Sequence, residues 1–275
     1  MTTETTPAIQ CADLRFTYPD GTEALRGVDL TIGRGSRVAI VGQNGSGKST
    51  LVRHFNGLLR ATSGEVSIHG RPIAARHVAE LAREVGLAFQ NPDRQIFAGR
   101  VSREVAFGPS NLGIRGQALD TAVRGALELV GLEDAAETNP YDLGFSKRKL
   151  LSLASIIAMH TPIVVLDEPT TGQDARGVRR VESIVEELAA AGRTVVTISH
   201  DMRFVAEGFE RVVVMRDGAI VADGSPLDVF AETGWEALHS TNLEPPLAAV
   251  AGARLGLGST PTEASLVAAL QARGR

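Results

Sequence analysis

Hydrophobic residues change their spacing along the first sixty positions. The segments QCADLRFTY and GVDLTIG alternate apolar and polar residues, which is the pattern of half-buried antiparallel strands. A short apolar run at 38–41 then leads through a glycine-rich turn into a helical pattern that opens near Lys48 and carries Leu51, Val52 and Phe55. These spacings predict an antiparallel β region followed by a strand–loop–helix unit.

A helical segment and a second strand–helix–strand pattern follow. GQALDTAVRGALELVGL has apolar residues at helical spacing and stops at Gly131, which predicts a helix within a middle helical subdomain of about residues 91–160. IVVLDE and RTVVTISHD are apolar runs rich in β-branched residues, as buried strands are. Four apolar residues share one helix face between these runs: Val178, Val181, Val185 and Leu188. The whole pattern predicts an α/β fold with parallel βαβ connections.

The two ends of the chain differ from the middle. MTTETTPAIQ has neither a basic nor an apolar region, so we expect a short loose tail and no secretory signal. Composition changes after residue 232, and we expect one large domain over 1–232 and a C-terminal extension over 233–275. In the extension, Thr260 with Glu263 forms a capping-box pattern and Pro261 stands at the first helical position, which predicts a helix to about Gln271.

Composition limits the classes of function. The 275 residues are 43% hydrophobic and 22% charged, which is enough apolar content for a full core. The net charge of −4 argues against a nucleic-acid partner, because such affinity depends on Lys and Arg neutralising phosphates. The longest apolar run, at 150–159, is far shorter than the roughly 20 residues that cross a bilayer. The single cysteine, Cys11, leaves no internal disulfide and fits a reducing cytoplasm.

The glycine-rich turn has the chemistry of a phosphate site. It fits G-x-x-x-x-G-K-S, in which backbone N–H groups and a helix N-terminus face a phosphate. We expect Lys48 to bridge the β- and γ-phosphates of a nucleoside triphosphate, and the Ser49 hydroxyl to bind Mg²⁺. The predicted nucleotide-binding residues of the turn are Gly42, Asn44, Gly45, Ser46, Gly47, Lys48, Ser49 and Thr50.

A pair of carboxylates ends the apolar run IVVLDE. Asp167 is placed to hold the Mg²⁺ shell, and Glu168 to orient or deprotonate an attacking water. An Asp-Glu pair after a strand is a weak signal by itself, and it becomes strong together with a phosphate loop. The two sites together predict hydrolysis of the triphosphate.

The order of these motifs resembles the ATP-binding cassette (ABC) ATPases over residues 9 to about 230. The resemblance implies a P-loop NTPase fold with an N-terminal antiparallel β subdomain and an inserted helical subdomain. It implies ATP as the ligand and Mg²⁺ as the cofactor, and the guanine-reading N-K-x-D motif is absent from the sequence. A P-loop kinase would need an acceptor site, and the sequence offers none that we recognise.

The resemblance assigns further residues one by one. Gln90, in AFQNPDRQIFAG, resembles the glutamine of the family's Q-loop, which contacts Mg²⁺ and water. Asp174, in LDEPTTGQD, is similar to the aspartate of the D-loop. His200, in TISHD, is similar to the switch histidine that contacts the γ-phosphate, and Tyr18, in FTYPDG, to the aromatic residue that stacks on adenine.

Within the family, FTYPDG, AFQNPDRQIFA and DEPTTGQD resemble the energy-coupling factor (ECF) group and the related cobalt and nickel importers. The resemblance implies a second ABC ATPase, identical or different, a membrane T component and a substrate-binding S component that imports a vitamin or a transition-metal ion. It implies a peripheral position on the cytoplasmic face of the membrane. We expect a coupling helix to dock beside Gln90, at Asn91 to Phe97.

Three alternatives stay open at this point. The chain could serve an ABC importer of another group, or act as a soluble ABC ATPase outside transport. The extension is similar to those that help two ECF ATPases pair, and it could instead be a lid on the core.

The segment YDLGFSKRKLLSLAS departs from the family pattern. At this position the family has L-S-G-G-Q at a helix start, and in a dimer this motif closes over the γ-phosphate held by the partner. The chain instead has Leu143, Gly144, Phe145, Ser146 and Lys147. Ser146 and the basic run 147–149 could form a variant phosphate clamp, or the segment could be a basic helix start without a catalytic role. A homodimer would use this motif in both of its sites, and a heterodimer in one.

Overall fold

Most elements in the first third of the chain are strands, and most of those after it are helices. The structure is a computed structural model that describes residues 6–274. The strands within that range are β1 (Ile9–Thr17), β2 (Glu23–Ile32), β3 (Arg37–Val41), β4 (Ser63–Ile68), β5 (Arg71–Pro72), β6 (Val85–Ala88), β7 (Ile163–Asp167), β8 (Thr194–Ile198), β9 (Arg211–Arg216) and β10 (Ala219–Gly224).

The α-helices of the same range are α1 (Lys48–Phe55), α2 (Val78–Leu81), α3 (Val101–Asn111), α4 (Gly116–Val130), α5 (Phe145–Ile157), α6 (Ala175–Ala190), α7 (Met202–Gly208), α8 (Pro226–Val229), α9 (Trp235–His239), α10 (Leu247–Arg254) and α11 (Glu263–Arg273). Short 3-10 helices lie at Pro92–Arg94, Glu133–Ala135, Pro140–Asp142 and Glu232–Gly234. None of the helices described between residues 6 and 274 combines the length and the apolar character that crossing a bilayer requires.

The chain divides into two compact units. Of the described residues, those up to Ala75 and those from Ile198 onward form the first unit, and Arg76–Thr197 form the second. The predicted N-terminal tail lies partly outside the described residues, since description begins at residue 6 and β1 begins at Ile9.

The first unit contains the antiparallel strands that the alternating pattern predicts. The four-stranded sheet has the order β2-β1-β4-β5, and β1 pairs antiparallel with both β2 and β4. The large apolar residues of β1, Ile9, Leu14 and Phe16, are buried, while several polar residues between them are exposed. In the same unit β3 pairs parallel with β9, which pairs antiparallel with β10. The predicted β region and the strand before the glycine-rich turn are therefore confirmed.

The second unit contains the strand–helix–strand pattern. β6 pairs parallel with β7, β8 lies next to β7, and every residue of β7 is buried. On α6, Val181, Val185 and Leu188 are buried. Helices α3, α4 and α5 pack against one another, and α4 ends at Gly131, whose left-handed backbone (φ 71°) provides its C-cap. The predicted middle helix is confirmed.

The start of the last helix differs from its prediction. α11 begins at Glu263, and Thr262 is its N-cap: the Thr262 hydroxyl accepts from the Ser265 N–H at 3.1 Å, and Ser265 Oγ accepts from the Thr262 N–H at 3.0 Å. The predicted capping box of Thr260 with Glu263 is wrong. The Thr260 hydroxyl is buried and donates to the carbonyl of Ala248 at 2.8 Å, so packing against α10 removes it from the cap position.

Candidate functional site

The glycine-rich turn, residues 42–47, lies between β3 and α1. Two of its glycines take positive φ angles that other residues rarely adopt. Gly42 has φ 148°, and a Cβ there would lie 2.2 Å from the carbonyl oxygen of Met215. Gly47 is the N-cap of α1 with φ 99°, and a Cβ there would lie 2.7 Å from the carbonyl oxygen of Ala24. A side chain would clash at either position, so the turn keeps its shape only with glycine there.

The side chain of Lys48, which follows the turn, folds back onto it. Lys48 is the first residue of α1 and is buried, and its Nζ donates to the carbonyls of Gly42 at 2.5 Å and Gln43 at 2.8 Å, and lies 3.4 Å from Ser46 Oγ. Ser49 follows it and is half-buried. The ammonium group therefore holds the carbonyls at the start of the turn, and a phosphate oxygen would have to replace some of these contacts.

Tyr18 lies against the same helix. Its hydroxyl forms a 3.0 Å hydrogen bond with Thr50 Oγ1, and its ring meets the Phe16 ring edge to face, with 4.8 Å between centroids. Tyr18 is half-buried, so part of the ring remains accessible. His200 also belongs to the first unit: it is exposed, in the connection between β8 and α7, just before the α7 N-cap Asp201.

The two carboxylates predicted from IVVLDE lie in the second unit. Asp167 is the last residue of β7, Glu168 follows it, and each is 4% exposed. Glu168 has φ 52°, a left-handed backbone that is uncommon for a residue other than glycine. The Thr171 hydroxyl donates to Glu168 Oε2 at 3.3 Å. A tight turn thus holds the buried Glu168 side chain in a defined orientation.

A buried lysine joins the backbone of the Q-loop segment to the end of β7. Lys149 is fully buried, and its Nζ donates to the carbonyls of Phe89 at 3.1 Å, Gln90 at 2.6 Å and Asp167 at 3.0 Å. Burial lowers the pKa of Lys149 from 10.5 to about 8, although the carboxylates of Asp167 and Glu168 act in the opposite direction. Gln90 itself is exposed, two residues after the end of β6.

Sequence reasoning assigned Lys149 only to a basic run. A better signal was available, because Lys149 precedes Ser152 and Leu153, both fully buried on α5, by three and four residues. A basic residue on an apolar helix face is buried with partners or extends to the surface. The sequence could therefore have indicated burial, but it could not have identified the three carbonyls.

The variant motif at 143–147 begins α5 as predicted, and it packs against the D-loop segment of its own chain. Gly144 is the helix N-cap, and Phe145 is the first helical residue. Ser146 Oγ donates to Gln173 Oε1 at 2.7 Å, and Gln173 Nε2 donates to the Ser146 carbonyl at 3.1 Å. A Cβ at Gly172 would lie 2.5 Å from Phe145 Cε1, so the ring packs directly on this glycine.

The basic run does not act as one charged patch. Lys147 is exposed, whereas Arg148 Nε lies 3.0 Å from Asp93 Oδ1, and Lys149 is buried among carbonyls. Of the three cations, we therefore keep only Lys147 as a candidate to contribute to a phosphate clamp. Asp174, at the D-loop position, caps α6 and accepts from the N–H groups of two residues of its first turn, at 3.0 and 2.8 Å.

The segment expected to receive a coupling helix contains one exposed ring and one structural amide. Gln95 Oε1 accepts from the Phe89 N–H at 3.1 Å, and its Nε2 donates to the Ser152 carbonyl at 2.9 Å. Phe97 is 58% exposed and meets the Phe107 ring edge to face, with 4.6 Å between centroids. Of these two predicted contact residues, Phe97 faces solvent and Gln95 supports the Q-loop segment.

Comparison with known proteins gives a family match and close relatives. The profile described as "ABC transporter" matches residues 25–171. The energy-coupling factor transporter ATP-binding protein EcfA of Methanocaldococcus jannaschii is 41% identical over 240 residues, which cover 86% of this chain and 85% of that protein.

Two solved structures are also similar to the chain. The structure of cbiO1 from Clostridium perfringens, described as part of the ABC transporter complex cbiONQ, aligns with a TM-score of 0.75 at 33% identity and covers 84% of this chain and 93% of that one. A dimeric ATP-binding cassette in a post-hydrolysis state, bound to ADP and Pi, aligns with a TM-score of 0.73 at 26% identity and covers 79% of this chain and 98% of that one.

Proposed function

The chain belongs to the ABC transporter family and is an ATPase with the P-loop NTPase fold, and we propose that it powers an ECF-type importer. The expected cargo is a vitamin or a transition-metal ion. The observation that carries the proposal is the 41% identity to an ECF ATP-binding protein across 86% of the chain. The similarity to cbiO1, which is described as part of the ABC transporter complex cbiONQ, supports it.

The glycine-rich turn is the proposed site of the ATP phosphates. Lys48 exchanges contacts with the turn's carbonyls for the β- and γ-phosphate oxygens, while N–H groups of residues 44–50 and the α1 N-terminus donate to the β-phosphate. Because Gly42 and Gly47 already give the turn a backbone conformation that other residues resist, little backbone reorganisation accompanies binding. Tyr18, anchored through Thr50, stacks on adenine.

Glu168 is the proposed residue that orients or deprotonates the attacking water. Its burial and its bond to Thr171 favour a single orientation, which a general base requires. The water oxygen attacks the γ-phosphorus, the bond to the β–γ bridging oxygen breaks, and ADP and Pi form. His200 contacts the γ-phosphate in this proposal.

The residues present suit Mg²⁺ as a companion of ATP. The Ser49 hydroxyl and the Asp167 carboxylate would hold it, with Gln90 contributing its side-chain oxygen, because Mg²⁺ prefers hard oxygen ligands and usually binds few protein groups beside phosphates and water. When bound, the ion neutralises charge on the β- and γ-phosphate oxygens.

The proposed partners are a second ABC ATPase and two membrane components. In the dimer, residues 144–147 and Asp174 act toward the nucleotide of the partner. The exposed Phe97, beside Phe107, offers an apolar surface for a coupling helix of the T component, and the S component selects the cargo. The chain then works at the cytoplasmic face of the membrane.

The experiment that tests this proposal has two parts. Glu168→Gln should bind MgATP like the wild type and hydrolyse it at least about a hundredfold more slowly. Glu186→Gln, which changes an exposed glutamate of α6, is the matched control and should keep the wild-type rate. Hydrolysis by Glu168→Gln at the wild-type rate would remove Glu168 from this role.

The second part addresses transport. Co-expression with T and S components should give a membrane complex that takes up cargo with the wild-type chain and fails with Glu168→Gln. An active ATPase that joins no membrane complex would contradict the transport proposal and favour a soluble ABC ATPase.

A further inference from the structure

A turn in the C-terminal region, residues 240–242, contacts the glycine-rich turn directly. Both belong to the first unit. The Gln43 N–H donates to Thr241 Oγ1 at 2.7 Å, and that hydroxyl donates in turn to the Met215 carbonyl at 3.1 Å. Asn242 Nδ2 donates to Gln43 Oε1 at 2.6 Å. Gln43 is thus held through its backbone and its side chain by two consecutive residues that lie 198 and 199 positions away.

The turn that makes these contacts is itself well anchored. Thr241 is fully buried, and Asn242 has a left-handed backbone (φ 55°), as residues just beyond a helix end often do. The Leu243 N–H donates back to the Leu238 carbonyl of α9 at 3.1 Å, and both leucine side chains are buried. The Thr241 hydroxyl is therefore held in place by the fold, not by the residue it contacts.

Gln43 also contacts Lys48, which follows the glycine-rich turn. Its carbonyl accepts from Lys48 Nζ at 2.8 Å and from the Ser46 N–H at 3.2 Å. The carbonyl of Met215, which accepts from Thr241, is the same group that approaches Gly42 too closely for any side chain. A continuous set of hydrogen bonds thus runs from the C-terminal turn through Gln43 to Lys48.

We propose that Thr241 and Asn242 are positioning residues for the glycine-rich turn, so that the C-terminal region sets the affinity for MgATP. The inference rests on the proposed function only because it takes the glycine-rich turn as the ATP site. A turn held before binding loses less conformational freedom on binding, which raises affinity without any contact to the nucleotide. Without the Thr241 hydroxyl, the Gln43 N–H and the Met215 carbonyl both lose a partner.

The test compares variants of the full-length chain. Thr241→Val keeps the shape of the side chain and removes the hydroxyl, Thr241→Ser restores it, and Asn242→Gly removes the amide while keeping the left-handed turn. Ser240→Ala is the matched control, since the Ser240 hydroxyl belongs to the same turn but donates to the Ala237 carbonyl of α9, at 2.7 Å, and not to the glycine-rich turn. Each variant is measured for MgATP affinity, for kcat and KM, and for thermal unfolding without nucleotide.

The expected result is a change in affinity that exceeds any change in turnover. Thr241→Val should raise Kd and KM for MgATP about tenfold, with kcat at saturating ATP within about twofold of the wild type. Asn242→Gly should raise Kd by a smaller factor, and Thr241→Ser and Ser240→Ala should match the wild type. Asn242→Gly keeps the test decisive if Thr241→Val does not fold.

Two results would overturn the inference, and they have different meanings. If Thr241→Val and Asn242→Gly melt at lower temperature yet bind MgATP like the wild type, the two residues are merely structural and the proposed function stands. If the wild-type chain itself does not bind MgATP, the proposed function fails and this inference fails with it.

Discussion

Ser146 and Gln173 form a closed pair: Ser146 Oγ donates to Gln173 Oε1 at 2.7 Å, and Gln173 Nε2 donates to the Ser146 carbonyl at 3.1 Å. The pair joins the start of α5 to the loop before α6. Beside it, the Phe145 ring packs on Gly172. Residues 145 and 146, at the start of α5, therefore pack against residues 172 and 173, and these contacts hold the two segments together.

The contact between Phe145 and Gly172 should appear in stability. Gly172→Ala places a side chain on a left-handed backbone (φ 75°) and against the ring, so we expect the free energy of unfolding to fall by about 3 kcal/mol. In a Phe145→Ala background the clash is absent, and the same substitution should cost about 1.5 kcal/mol. Urea unfolding measures both, and equal costs in the two backgrounds would contradict the contact.

The Ser146–Gln173 pair should appear in turnover as a shared effect. If the Ser146 hydroxyl acts through Gln173, then Ser146→Ala and Gln173→Ala should lower kcat by similar factors, and the double variant should be no slower than either. A hydroxyl that instead donates to a γ-phosphate would cost on the order of a hundredfold in Ser146→Ala alone. Steady-state ATPase rates distinguish these outcomes.

Lys149 should make stability depend on pH. Its pKa is lowered to about 8 in the folded chain from 10.5, so between these pH values the unfolded chain binds more protons and stability from this group rises with pH. Below pH 8 both states are protonated and the full cost of burying the charge remains. The wild type should therefore gain stability relative to Lys149→Met as pH rises from about 8 toward 10.

The matched control for this measurement is Lys147→Met, which removes an exposed lysine from the same helix. Chemical unfolding at several pH values gives the difference between each variant and the wild type. A difference for Lys149→Met that stays constant across the window would mean that Lys149 does not carry its charge as described.

Gln95 and Phe97 should fail in different ways. Gln95→Leu removes two hydrogen bonds that hold Phe89 and Ser152, so the isolated chain should lose ATPase activity and unfold at lower temperature. Phe97→Ala shortens a ring that is 58% exposed, so it should keep MgATP affinity and lower transport in the complete complex. The control is Val78→Ala, which changes another exposed apolar residue of the second unit and should leave transport normal.

Transport at the wild-type rate with Phe97→Ala would contradict the proposal that Phe97 and Phe107 contact a coupling helix. Full ATPase activity of Gln95→Leu would contradict the support that this amide gives to the Q-loop segment.

By itself the sequence determined the elements whose cause is local. The alternation in β1 and β2, the apolar face of α6 and the end of α4 at Gly131 follow from spacing and from glycine's freedom to take positive φ. The strand–turn–helix at Lys48 follows in the same way, because its glycines allow a backbone that other residues resist. Each of these features depends only on residues a few positions away along the chain, and the sequence gives the identity of those residues directly.

Only the tertiary structure decided which distant groups meet. Ser146 and Gln173 are 27 residues apart, Lys149 reaches a carbonyl 59 residues away, and Thr241 lies 198 residues from Gln43. Thr260 likewise lost its predicted capping role to a contact with α10. Side-chain hydrogen bonds of this kind leave no periodic pattern, because they depend on where packing brings a single donor and acceptor together.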